Sequence, residues 1–203
     1  MKIFLKGFCI VFLCMSLLGL LWFLIIQPGL TNREAQNLKE EYAQHLPGES
    51  SGELPAGKEQ AASLVNLSAL QAEYPDVKGW ISIPGTCVDY PVLQSSADDP
   101  EYYLRRTYKG EHRTAGSIFF QWDCSPESKN LVVYGHNMSD GTMFAVLQKM
   151  ADEAFRTEHS KILLQTSDGL REYRIAAVLK TDIQKLPFNL SLIHISEPTR
   201  HLR

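Results

Sequence analysis

A histidine delivered by a buried strand is the feature of this 203-residue chain most suited to chemistry. In "LVVYGHNMSDGTMF", residues 131–144, His136 follows a short apolar run that ends in tyrosine and glycine. Glycine and asparagine flank it and "SDG" comes after, so the spacing predicts a strand end leading into a tight loop. Strand ends on a rigid sheet commonly present catalytic side chains, because the loop is accessible while its base is fixed. Near its ordinary pKa of ~6.5, histidine can take or give a proton at neutral pH. The competing reading is a surface or capping histidine satisfied by a backbone carbonyl.

The other histidines suit solvent better. His45 falls in a helical pattern, His112 in the polar "KGEHRT" loop, and His159 after a helix whose C-terminal dipole it complements. No HxH, HExxH or CxxC pattern is present, so no metal or other cofactor is expected. The chain has no GxSxG elbow either, which argues against a serine hydrolase. Four cysteines remain: Cys9 and Cys14 within an apolar run, and Cys87 and Cys124 further on, with neither metal spacing nor a disulfide framework.

The elements that must position His136 are mainly strands. "GWISIPG" (79–85), "VDYPVLQ" (88–94), "GSIFFQW" (116–122), "NLVVYGHN" (130–137), "KILLQT" (161–166) and "REYRIAAVLK" (171–180) carry strand composition. Gly85 and Thr86 mark a hairpin turn between the first two, and "SDG" a turn between the last two. Short helices are expected in "NLSALQAEYPDV", with Asn66 or Ser68 near the cap, and around "PEYYLRRTY". A longer one, broken near Ala151, is expected in "TMFAVLQKMADEAFRTEH". The fold class is therefore mainly β with peripheral helices.

Ahead of this domain, Phe8 to Ile26 contains no charged residue and is nearly long enough, at ~1.5 Å per residue, to cross a ~30 Å hydrocarbon core. It reads as one transmembrane signal-anchor, with Lys2 and Lys6 in the cytoplasm (residues 1–7) and the rest of the chain outside. A cleaved signal peptide is the rival, but "QPGLTNRE" offers no small-residue cleavage site. Residues 27–60 read as a stalk helix and linker: Ala35, Leu38, Tyr42 and Leu46 keep helical spacing, with Thr31 or Asn32 as its cap. "PGESSGELPAGKEQ" then has almost no apolar mass. A formal charge of -3 and a pI near 6.1 give no reason to expect nucleic acid as a partner.

"GWISIPGTCVDYPVLQ", "YYL", "GSIFFQW" and "NLVVYGHNMSDGTMFAVL", in this order and spacing, resemble class B sortases. These are membrane-anchored cysteine transpeptidases of Gram-positive bacteria. The resemblance covers roughly residues 61–188, within a domain read as 61–189, and implies a sortase-type eight-stranded β-barrel, of which about six strands are legible here. It implies a thiolate that attacks the threonine carbonyl of an LPxTG- or NPxTN-type sorting signal, and an amine from a cell-wall precursor or a pilin that resolves the acyl-enzyme. The partners would be sorting-signal-bearing surface proteins, that amine acceptor and the membrane. His136 takes the family's histidine position, Tyr134 a position lining the peptide groove, and Leu104 a weaker groove position; buried packing is the plain alternative for the last two.

The family's nucleophile belongs to a TLxTC motif, followed by an arginine on the next strand. Neither occurs in these 203 residues. Residues 190–203, "LSLIHISEPTRHLR", lack strand alternation and read as a non-native tail after a truncated domain, with a divergent native tail as the rival. Cys87 and Cys124 remain as substitute nucleophiles, one at a hairpin turn and one in the polar "WDCSPES" loop. A membrane-tethered peptide-binding module without catalysis, or a structural envelope protein, stays open beside the enzyme.

Overall fold

A computed structural model describes residues 2–21, 27–43 and 64–180. Helices α1 (Lys2–Leu21) and α2 (Gln27–Glu41) come first, then α3 (Leu67–Glu73). Strands β1 (Val77–Ser82) and β2 (Asp89–Gln94) follow, then a 3-10 turn over Tyr102–Arg105, β3 (Ile118–Phe120) and β4 (Val133–Tyr134). A second 3-10 segment (Ala145–Ala151) leads into α4 (Glu153–Glu158), β5 (Lys161–Thr166) and β6 (Gly169–Arg174). The strands form one sheet in the order β4-β3-β2-β1-β5-β6. Among the described residues, only the β2–β3 pair is parallel. The fold is mainly β, as its strand composition predicts.

Both faces of the sheet centre are buried, and period-2 alternation divides the side chains between them. Ile81, Val92, Ile118 and Phe120 enter one cluster with Met143, Val146, Met150 and Leu164. Trp80, Leu93 and Phe119 enter the other with Val65, Leu67, Leu70 and Tyr103. That two-sided burial explains why "IFF" is an unbroken apolar run. The β1–β2 turn uses Gly85 at φ +76°, a left-handed conformation open to glycine at no steric cost. A Cβ there would also stand 2.7 Å from the ring of His159. Asn66 caps α3 through its Oδ1, which accepts from the Ala69 N–H. The helical pattern after Gly141 breaks at Asp152, which caps α4 by accepting from the Phe155 N–H.

Several expectations need correction. Strand β6 runs Gly169–Arg174 and not 171–180, the ladder with β5 ending where Lys161 pairs with Arg174. Helix α2 is not a stalk: Ala35 and Leu38 are buried against the domain. Lys39 Nζ lies 2.7 Å from Asp89 on β2, and Glu34 pairs with Arg113. The amphipathic stripe was legible, but the surface that covers it belongs to strands far away in sequence. Thr31 and Asn32 do not cap this helix, which begins at Gln27; Asn32 Oδ1 instead accepts from the Tyr90 hydroxyl on β2. Strand β4 is also shorter than residues 130–137, because the His136 carbonyl turns out of the ladder to accept from the Phe144 N–H at 2.9 Å.

The expected span, Phe8 to Ile26, is described only through Leu21, and the low-apolarity stretch 47–60 and His45 lie outside the described residues. Among the described residues, no helix is long and apolar enough to cross a membrane. The tail expected over 190–203 also lies outside them.

Candidate active site

The site is built where edge strand β4 ends. Phe119 and Phe120 of β3 pair with Tyr134 and Val133, which fixes the strand two residues before His136. Gly135 lets the chain pass beneath a ring, since a Cβ there would stand 2.6 Å from Phe144 Cδ2. After His136, the Asn137–Met143 bridge and the Phe144-to-His136 backbone bond close a small loop. Inside it, Asp140 Oδ1 accepts from both the Thr142 N–H at 2.9 Å and the Thr142 hydroxyl at 2.6 Å. The loop thus holds its shape by its own hydrogen bonds, and Met143, 1 % exposed, fastens its far end into the core.

His136 is half-buried. Burial, and secondarily the positive charge of Arg105, hold its pKa below the ordinary histidine value. The imidazole is therefore neutral at pH 7 and ready to accept a proton. Arg105 ends the 3-10 turn that also carries Leu104, and its charge acts on the histidine. Sequence reasoning missed Arg105; its position directly after Leu104 is the signal that could have found it.

Tyr134 and Leu104 both pack, partly buried, against the Trp80–Leu93–Phe119 cluster. The Tyr134 ring lies 5.5 Å from that of Phe119, and its hydroxyl donates to Gln121 Oε1 at 2.9 Å. Burial raises the Tyr134 pKa, which keeps the hydroxyl protonated at neutral pH. Both side chains pack against the core, and each keeps part of its surface open.

The other described histidines lie elsewhere. His159 follows α4, with Nδ1 3.0 Å from the Pro84 carbonyl and its ring 4.4 Å from that of Phe155. Exposed His112 lines a polar cavity of about 260 Å³ between α2 and the 107–114 loop. Among the described residues, no group of three or more histidine, cysteine or acidic side chains could hold a metal ion. Cys87 and Cys124 are both free thiols. Cys87 Sγ donates to the Gly141 carbonyl at 3.2 Å, which places this cysteine against the histidine loop. Although the residue is exposed, desolvation of its sulfur against the loop pushes the thiol pKa up and outweighs the charge of Lys149, against what a nucleophile needs.

A six-stranded sheet with one parallel pair, carrying a histidine loop at the end of its edge strand, is a fold that known proteins share. The family model described as "Sortase domain" matches residues 81–202. The chain belongs to the sortase family. Its relatives include sortase B of Listeria monocytogenes, 42% identical over 117 residues, which are 57% of this chain and 47% of that protein. Sortase B of Staphylococcus aureus is 31% identical over 147 residues, 70% of this chain and 59% of that protein. The chain spans about half the length of these curated relatives. Among solved structures, a mutant form of Clostridium perfringens sortase B is 30% identical, with a TM-score of 0.56 over 60% of this chain and 57% of that one. A Staphylococcus aureus sortase B–substrate complex is 27% identical, with a TM-score of 0.51 over 59% and 61%. Within the family, the similarity is to class B members.

Proposed function

We propose that this chain is the histidine-bearing part of a class B sortase, a cysteine transpeptidase that cleaves a sorting signal at threonine and transfers the protein to a cell-wall or pilin amine. The observation that carries the reading is His136. It is half-buried, electrically neutral at pH 7 and fixed by a self-bonded loop inside the family-matched segment. His136 takes the proton of the attacking thiol, and the thiolate adds to the threonine carbonyl. The resulting imidazolium returns that proton to the departing amine as the peptide C–N bond breaks, leaving a thioester. An incoming amine then loses its proton to the imidazole, attacks the thioester and expels the thiolate. In this reading the thiolate belongs to a TLxTC segment that completes an eight-stranded barrel.

Tyr134 and Leu104 line the peptide groove with the parts of their side chains that packing leaves open. A peptide substrate agrees with the relative solved as a substrate complex. The apolar N-terminal segment, in which Phe8, Phe12 and Leu18 are more than half exposed, anchors the protein in the cell membrane with the domain outside. Protease added to intact protoplasts should then remove the domain and spare the anchor; free protein in the medium with a new N-terminus near Gln27 refutes the anchor.

The catalytic test joins residues 1–180 to the TLxTC- and arginine-bearing strands of a class B relative and measures cleavage of an LPxTG- or NPxTN-type peptide. His136→Ala should lower turnover by at least ~10², the usual scale for losing such a group. Activity within a few-fold of the parent refutes the assignment. Peptide binding without any turnover in the parent would favour a tethered binding module.

A further inference from the structure

We infer that Tyr90 is a positioning residue for His136, and that helix α2 sets the geometry of the histidine loop through it. The inference rests on the reading of His136 as the acid–base group, which it deepens by naming what holds that group in place.

Tyr90 is the second residue of β2, 4 % exposed, with its hydroxyl at the junction of two elements far apart in sequence. The hydroxyl oxygen accepts from the Met143 N–H at 3.2 Å. The same hydroxyl donates to Asn32 Oδ1 on α2 at 2.5 Å. Burial, the largest cause, pushes its pKa up to about 12, so it keeps its proton and remains able to donate at any physiological pH. The hydrogen bonds therefore run in one direction, from the histidine loop through β2 into α2.

Met143 is the residue in that loop most in need of such a hold. It is the only described non-glycine residue with positive φ, at 54°, a conformation that crowds its Cβ against the following carbonyl. Its amide is buried, so without the Tyr90 oxygen that N–H would lose its acceptor away from water. Directly after it, the Phe144 N–H binds the His136 carbonyl. A shift at Met143 therefore reaches the histidine backbone through one hydrogen bond. Helix α2 is itself held in place by other contacts: Lys39 binds Asp89, and Glu34 pairs with Arg113. It can therefore act as a fixed support for the tyrosine.

The experiment uses the full chain in detergent micelles, observed by NMR. Tyr90→Phe removes one oxygen and keeps the ring. Amide exchange at Met143 should speed up roughly tenfold, the scale of losing one buried hydrogen bond. The His136 ring should titrate closer to ~6.5 as the loop opens to water, while amide exchange in strand β5 stays as in the parent. Asn32→Ala should move the same two signals in the same direction, and Asn32→Asp, which restores an acceptor, should return them towards the parent. These signals read the loop and not turnover, so they are decided separately from the activity of His136→Ala. Unchanged Met143 exchange and His136 titration would overturn the inference. So would a uniform loss of amide protection across the sheet, which marks a merely structural role. If Tyr90→Phe does not fold, the Asn32 pair decides alone.

Discussion

Gly116 joins the 3-10 turn carrying Leu104 and Arg105 to strand β3, and replacing it with alanine should cost far more than one methyl group implies. The residue sits at φ +59°, where a Cβ is disfavoured by about 1–2 kcal/mol. Stiffening the unfolded chain returns about 0.4–1 kcal/mol of that. The larger effect is steric. The new Cβ would stand 2.1 Å from the Leu104 carbonyl oxygen, 2.6 Å from its carbon and 2.7 Å from the Tyr103 oxygen. All three are backbone atoms, so no rotamer change relieves the contact. The turn must move, and the Ser117-to-Tyr103 and Gly116-to-Arg113 bonds, each 3.0 Å, go with it. At about 0.5–1.5 kcal/mol for each bond, the total loss is about 3 kcal/mol, within a range of about 1–5. Gly141→Ala supplies the control: its φ is also positive, at +85°, but nothing lies within 4 Å of the added Cβ. That variant should lose no more than about 1–2 kcal/mol. Urea unfolding at constant m-value measures both. Equal losses in the two variants would refute the steric argument, since they would leave backbone conformation as the whole effect.

Asp89 accepts from Trp80 Nε1 on one oxygen and from Lys39 on the other, each at 2.7 Å. Asp89→Ala strands the buried indole N–H and should cost about 1–3 kcal/mol, whereas Lys39→Met should cost less than about 1; urea unfolding that ranks them in reverse would contradict this. His136 makes stability depend on pH. Its folded pKa lies below the unfolded value of ~6.5, so the unfolded chain binds more protons between the two. The contribution is complete above ~6.5 and declines as pH falls through that window, and His136→Gln should flatten this part of the curve. A parent whose stability rises on acidification through the same window would contradict the sign.

The sheet was legible in sequence because its signals are local. Glycine at the β1–β2 turn and "SDG" before β6 sit where the structure turns the chain, and all six strands form. His136 was legible for a related reason, as an ionisable residue next to glycine at the end of an apolar run. What could not be read were partners distant in the chain. The stripe of Ala35 and Leu38 on α2 was visible, but its docking on the domain depends on Asp89 and Arg113, more than forty residues away. Tyr90 looked like one more buried strand aromatic, because its hydroxyl joins two elements that only the fold brings together. Arg105 was missed likewise: its effect on His136 comes from a turn that packs beside β3 and not from any spacing in the sequence.

The two free cysteines near the sheet give the last test of who supplies the thiolate. Cys87 is the tempting one, since its sulfur meets the loop that carries His136. Two features weigh against it. Its thiol donates to the Gly141 carbonyl, a bond that exists only while the proton is present. Burial also raises its pKa above an ordinary value near 9, so at pH 7 no more than roughly one molecule in a hundred carries the thiolate. The charge of Lys149 pulls the value down, but desolvation outweighs it, and a nucleophile needs that balance reversed. Cys87 should therefore react with iodoacetamide more slowly at pH 7 than a free thiol, and faster as pH rises towards 10. In the chimera described above, Cys87→Ala and Cys124→Ala should each retain turnover within a few-fold, while alanine at the TLxTC cysteine should abolish it. A sorting peptide trapped as a thioester on Cys87 or Cys124 of the 203-residue chain alone would reverse this, and would place the whole reaction on residues already present here.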